Sequence, residues 1–95
     1  MQKWEYLKTW THNPSQYLNK FRVIILPKSK IDVEKLAKAF PGAKIEEDKE
    51  YAHGLFVFPP KDDQGLYYDV VEYLCGEGWE PFAVENNVLH YRRSV

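Results

Sequence analysis

The chain has 95 residues, of which 44% are hydrophobic, and its formal net charge at pH 7 is −1. A chain of this length forms one domain around a single modest core, and the near-zero charge gives no global attraction to nucleic acid or anionic lipid. The aromatic share of 16% is more than a small interior encloses, so some of these rings are expected at an interface.

Charge is distributed unevenly along the chain. Residues 20–44 carry seven basic and two acidic side chains, whereas residues 46–85 carry eleven acidic and two basic ones. Two solvated faces of opposite sign are the simpler interpretation, and a docking surface is the alternative.

Cysteine content and hydropathy bear on the compartment. The single Cys75 excludes an intrachain disulfide and is typical of a reducing environment. No apolar run has the length of a membrane span, and the first residues lack the regions of a signal peptide. We therefore expect a soluble cytoplasmic protein that does not enter a membrane.

The first predicted element is a strand over residues 3–10, in which apolar and polar residues alternate. Its large aromatic residues share one side of that strand: Trp4, Tyr6 and Trp10. Residues 12–15 have the composition of a turn, and the apolar run of residues 20–26 predicts a central strand that ends at Pro27.

A helix is predicted next, from a capping box formed by Ser29 and Asp32 to about Phe40. The residues of its buried face recur at intervals of three and four: Val33, Leu36, Ala37 and Phe40. Pro41 and the glycine after it end this helix.

Two short strands follow at residues 43–46 and 51–58, and a second helix is predicted over residues 66–75. Asp62 and Asp63 precede this helix, where carboxylates ordinarily act as caps. The buried face of the helix consists of four residues: Tyr67, Val70, Val71 and Leu74.

The last residues predict a hairpin that follows a helix end at Gly76 and Gly78. With Asn86-Asn87 as a two-residue turn, Val84 faces Leu89, Ala83 faces His90, Phe82 faces Tyr91 and Glu80 faces Arg93. This register predicts a core face and an opposite face. The predicted core face comprises Phe82, Val84, Leu89 and Tyr91, and the opposite face carries Trp79 and His90.

The elements between residues 20 and 85 follow the order strand, helix, strand, strand, helix, strand. This is the split βαβ order of ferredoxin-like folds. The sequence therefore predicts an α+β domain, with an antiparallel sheet, two helices on one of its faces, and extra N- and C-terminal strands. The other face of the sheet would then be uncovered.

Two segments resemble the small bacterial family catalogued as domain of unknown function 4177. They are the initial Trp-Glu-Tyr of residues 4–6 and the Gly-Glu-Gly-Trp-Glu of residues 76–80, followed by a strand that ends in Tyr-Arg-Arg at residues 91–93. The similarity covers about a third of the chain. Pro81 and the long segment of residues 13–60 depart from the family pattern. The resemblance implies an N-terminal strand close to the C-terminal one, and it assigns no activity.

The residues that could carry chemistry are few. His12, His53, His90 and Cys75 have no metal-ligand spacing, so we predict neither a metal site nor a cofactor. Cys75 lies at a helix C-terminus, where the dipole disfavours a thiolate, and a buried structural cysteine is expected. We assign no catalytic residue.

We therefore expect a self-association or protein-interaction module without catalysis. Its partner-binding residues are expected to be aromatic or imidazole side chains: Trp4, Tyr6, Trp10, Phe56, Phe58, Trp79 and His90. One alternative is single-stranded RNA binding, because residues 53–58 partly resemble the third strand of the RNA-recognition motif, although they lack its leading basic residue and residues 21–26 lack the aromatic expected inside its partner strand. The eleven acidic residues of the later half disfavour it, so nucleic acid is not the expected partner. Another is a small dimeric enzyme whose pocket lies on the sheet.

Overall fold

A computed structural model describes residues 3–12, 21–47, 54–60 and 65–95 of the chain. The described residues form strands, two helices and a short 3₁₀ turn at Lys28–Lys30. In chain order the helices and strands are β1 (Trp4–His12), β2 (Arg22–Leu26), α1 (Val33–Ala39), β3 (Lys44–Glu47), β4 (Leu55–Phe58), α2 (Leu66–Gly76), β5 (Glu80–Glu85) and β6 (Val88–Ser94).

The strands form one antiparallel sheet in the order β3-β4-β2-β1-β6-β5. This confirms the predicted α+β class, with an open sheet and two helices in the described part of the chain. A ferredoxin-like order would place β5 directly beside β2. Here β1 lies beside β2 instead, and both β1 and β6 stand between β2 and β5. The physical reason is the length of β1, which pairs with β2 through residues 8–12 and with β6 through residues 4–9.

The core is built from alternate residues of the sheet and from the inner faces of the helices. Leu36 of α1 is fully buried, as are Val70 and Leu74 of α2. They share one cluster with buried strand residues: Leu7, Val23, Ile25, Leu55, Val57 and Tyr91. Trp79 also belongs to this cluster with only 2% of its surface exposed. The prediction that Trp79 lies on an outer face was therefore wrong.

The start of α1 differs from the predicted capping box. Asp32 is the N-cap, and its carboxylate accepts a hydrogen bond of 3.1 Å from the backbone amide of Lys35. Ser29 lies in the preceding 3₁₀ turn instead. The carboxylate of Asp32 satisfies an amide that the first helical turn leaves unpaired, so the helix begins after Asp32.

The C-terminal hairpin confirms the predicted turn, because Asn86 and Asn87 have positive φ values of 52° and 65°. The pairings next to this turn are also as predicted. Farther along, a bulge at Phe82 shifts the register, so that Pro81 pairs with Tyr91 and Glu80 with Arg92. A bulge adds one residue to a strand, so the residues on its far side from the turn change the face of the sheet to which they point. The predicted pairs Phe82–Tyr91 and Glu80–Arg93 were therefore wrong, and so was the placement of Phe82 and Val84 in the core, because both are exposed.

Several predictions fall on residues outside the described ranges. They are the turn beyond His12, the start of the strand predicted at residues 51–58, His53, and the capping residues Asp62 and Asp63. Neither helix in the described ranges has the length and apolar character needed to cross a bilayer.

Candidate interaction face

The aromatic face is the side of the sheet that alternates with the buried core residues. Strand pairing places Lys8 of β1 beside Leu26 and His90, and Trp10 beside Ile24, whose other neighbour is Phe56. All of these residues alternate along their strands with members of the core cluster. The aromatic face thus contains six of the seven predicted partner-binding residues: Trp4, Tyr6, Trp10, Phe56, Phe58 and His90.

One end of this face forms a cluster that we call the Tyr6 patch: Trp4, Tyr6, Phe82, His90 and Arg92. The ring of Phe82 lies 6.1 Å from that of Tyr6, nearly edge to face, and 6.4 Å from that of His90. The Arg92 guanidinium lies 4.6 Å from the Trp4 ring centroid and 5.4 Å from that of Phe82. Tyr6 and Phe82 are 57% and 45% exposed, so the patch presents apolar rings to solvent.

The bulge in β5 explains how Phe82 joins this patch. Without an extra residue, Phe82 would face Tyr91 and point into the core. With the bulge, its ring contacts the rings of Tyr6 and His90 instead. The aromatic role of Phe82 was missed by the sequence reasoning, and Pro81 beside it is the available signal, because proline in a strand is favoured at bulges.

The other end of the aromatic face forms the Arg22 patch: Trp10, His12, Arg22, Phe56 and Phe58. The Arg22 guanidinium lies 4.7 Å from the Phe56 ring centroid and 6.0 Å from that of Phe58. The two phenylalanine rings are 6.3 Å apart and nearly perpendicular. Among the described residues, the Nε atom of Arg22 and the Nε2 atom of His12 are buried without a hydrogen-bond partner.

Ion pairs accompany both patches. Arg92 is 3.3 Å from the carboxylate of Glu80, and Lys44 is 2.7 Å from that of Glu46. Pairs this exposed contribute about 0–1 kcal/mol to stability. The pair of Arg92 with Glu80 neutralises charge at the Tyr6 patch, and the pair of Lys44 with Glu46 does so beside the Arg22 patch, whereas Arg22 itself makes no ion pair with any described residue.

A cluster of charged side chains around Arg93 lies on the core side of the sheet and has a structural role. Arg93 donates a 2.6 Å hydrogen bond to the carboxylate of Glu5 and a 3.1 Å bond to the backbone carbonyl of Glu77, while its guanidinium covers the Trp79 ring at 4.2 Å. The hydrogen bond from Arg93 holds the pKa of Glu5 below its usual range, against the opposing effect of burial, and Lys30 lowers it further. These contacts join β1, β6 and the end of α2.

A buried pair of hydroxyl groups lies inside the core. Thr9 Oγ1 and Tyr91 OH are 2.9 Å apart, and both residues are fully buried. Burial raises the pKa of Tyr91 well above its ordinary value, and the hydrogen bond to Thr9 opposes this shift only in part. Tyr91 therefore stays neutral and serves packing.

The residues considered for catalysis are not brought together. Cys75 is exposed, so the predicted burial of its thiol was wrong; it lies beyond the buried position of Leu74 on α2. No group of three or more His, Cys, Asp or Glu side chains in the described ranges has a metal-binding arrangement. A cleft of about 280 Å³ lies beside His90, and the described residues that line it include Lys8 and Tyr6 but no carboxylate.

No protein-family model, curated protein or solved structure matches this chain. The two patches are therefore the features of the described residues that bear most directly on function. Each patch has an arginine stacked on its aromatic rings: Arg22 in the Arg22 patch and Arg92 in the Tyr6 patch. The sequence reasoning singled out neither of them. Their signal in the sequence is the alternation of each arginine with core residues of its own strand, Val23 and Tyr91.

Proposed function

We propose that this chain is a non-catalytic interaction module that associates with a second copy of itself through the Tyr6 patch. The observation that carries the proposal is the exposure of Tyr6 and Phe82, whose rings are in contact on the surface. Adjacent exposed aromatic residues with an arginine stacked among them are typical of the centre of a protein interface.

A second copy suits this patch because Arg92 of the patch and the adjacent Glu80 present both signs of charge. Most soluble homo-oligomers are symmetric, and a twofold interface brings the same surface of each copy together. Glu80 and Arg92 form one ion pair within each copy. In a twofold pair, each copy therefore offers an anion and a cation to the other. The rings between them provide apolar area that is stabilising once removed from water.

Self-association through the Tyr6 patch requires that one side of the sheet is not covered by the helices. We propose that α1 and α2 cover the same side of the sheet, because their buried residues share one cluster with inward residues of β1, β2, β4 and β6. The opposite side is then left for a partner. The partial order β3-β4-β2 is compatible with a ferredoxin-like core into which β1 and β6 have been added. Kinship with domain of unknown function 4177 and a cytoplasmic location belong to the same proposal.

The test is sedimentation velocity of the parent chain and three variants from about 1 to 100 μM, a range that covers micromolar affinities. Tyr6→Ser and Phe82→Ser remove the exposed rings and are expected to shift the chain from dimer to monomer. Tyr68→Ser is the matched control, because Tyr68 is 75% exposed but lies on α2. A parent chain that stays monomeric, or a dimer that all three variants retain, would contradict the proposal.

A further inference from the structure

A row of polar side chains crosses the sheet at the Arg22 patch. His12 pairs with Arg22 across β1 and β2, and Phe58 pairs with Lys44 across β4 and β3. Arg22 lies beside Phe58, because Val23 and Val57, the next residues inward, are paired. We call this set the cationic row: His12, Arg22, Phe58 and Lys44. Across three interstrand gaps it extends about 14 Å.

Two members of this row, Arg22 and His12, each have a side-chain nitrogen that is buried and unpaired among the described residues. Arg22 stacks on two rings, and among the described residues it makes no ion pair and its Nε has no hydrogen-bond partner. Within the same ranges, the Nε2 of His12 is also without one. An unpaired buried donor is unfavourable, and the guanidinium of Arg22 can only donate, so an anion that accepts from Arg22 is favoured here. Lys44, with 73% of its side chain exposed, lies at the sheet edge, where its ammonium group is paired with the carboxylate of Glu46 at 2.7 Å, so a phosphate would compete with Glu46 for it.

Aromatic groups accompany the row. Phe58 is a member of it, and Trp10 lies one position away on β1, beside Ile24. Bases of a single strand stack on such rings whatever their sequence, while basic side chains contact the phosphates. The planar guanidinium of Arg22 suits phosphate oxygens, since its fork of donors can bind two of them at once.

We infer that the cationic row and Trp10 bind a short segment of single-stranded nucleic acid. Phosphate groups contact Arg22 and Lys44, and bases stack on Phe58 and Trp10. An acidic peptide could satisfy the cations, but it has no flat bases for these rings. The site lies apart from the Tyr6 patch, so nucleic-acid binding does not depend on self-association.

The experiment measures fluorescence anisotropy of fluorescein-labelled octauridylate and octadeoxyuridylate with the full chain at low salt. With about two phosphate contacts, the logarithm of the binding constant is expected to fall against log salt with a slope near −1.4, about −0.7 for each contact. The two oligonucleotides distinguish an RNA site from one that accepts either sugar. A polyglutamate peptide of equal charge is the competitor.

Two variants test the row itself. Arg22→Gln is expected to weaken binding about tenfold and to reduce the salt slope by about 0.7. Lys44→Glu tests the same charge at an exposed edge position that does not support the core. Lys38→Gln, on the exposed surface of α1, removes the same single charge as Arg22→Gln and is its control; it should bind like the parent.

The outcomes separate this inference from the proposed self-association. Arg22→Gln and Lys44→Glu should sediment like the parent while their nucleic-acid affinity falls. No binding by the parent at low salt overturns the inference, as does equal affinity of the parent, Arg22→Gln and Lys44→Glu. Polyglutamate that displaces the oligonucleotides at equal concentration would also overturn it, in favour of an acidic protein partner.

Discussion

The buried hydroxyl pair of Thr9 and Tyr91 gives a sharp test of the core. Thr9→Val keeps the shape of the side chain but removes the hydroxyl, which leaves Tyr91 OH fully buried beside an apolar neighbour. An unsatisfied buried hydroxyl costs about 1–3 kcal/mol. The free energy of unfolding should fall by that amount, and the melting temperature by about 4–8 °C for each kcal/mol.

The reverse change should be milder. Tyr91→Phe removes the buried phenol group, and Thr9 keeps a weaker contact of 3.5 Å with the hydroxyl of Tyr67. The double variant Thr9→Val/Tyr91→Phe has neither hydroxyl and therefore no orphaned partner between the two positions. Its loss of stability should be smaller than the sum of the single losses by about 1 kcal/mol.

Urea unfolding followed by circular dichroism measures all four chains, and equal slopes against urea confirm that the same surface unfolds in each. Losses that simply add in the double variant would show that the 2.9 Å contact between Thr9 and Tyr91 does not couple them. A loss below about 0.5 kcal/mol for Thr9→Val would refute the assumption that water cannot reach the Tyr91 hydroxyl.

Two further predictions concern pH and backbone geometry. The folded state raises the pKa of Tyr91, so the contribution of its neutral phenol to stability is present in full below the unfolded pKa of about 10 and is lost as pH rises towards the folded pKa. The free energy of unfolding should therefore fall between pH 9 and 11 by up to about 1.4 kcal/mol per pH unit. This fall should be smaller in Tyr91→Phe. Equal slopes would contradict this. Gly78 has a φ of +96°, so Gly78→Ala should cost about 1 kcal/mol or more in thermal or urea unfolding. Gly76→Ala is the matched control, because a Cβ there meets nothing within 4 Å in a helical residue, and it should be neutral or stabilising; equal costs at both positions would refute the argument from φ.

The sequence was most informative where a local pattern determines the structure. Alternation in residues 3–10 placed Trp4, Tyr6 and Trp10 on one side of a strand, and the pair Asn86-Asn87 fixed the hairpin turn. Both depend on neighbouring residues alone, since side-chain period and positive φ are local properties.

The errors occurred where distant parts of the chain compete. The pairing of β1 with both β2 and β6 cannot be inferred from residues 4–12 alone. It depends on which other strands place their buried residues next to those of β1. The burial of Trp79 has the same origin, because the turn at Gly78 directs its ring under Arg93. At Phe82, one additional residue in the strand was enough to exchange the core for the surface.

The position of β1 between β2 and β6 also bears on how the sheet is assembled. The strands β3, β4 and β2 lie on one side of it, and the hairpin of β5 and β6 lies on the other. The contact of Thr9 with Tyr91 closes a loop of 82 residues, an entropic cost of about 4 kcal/mol from chain length alone. Two locally formed halves therefore become one cooperative unit only when β1 is paired on both edges, and that joining step is expected to limit the folding rate.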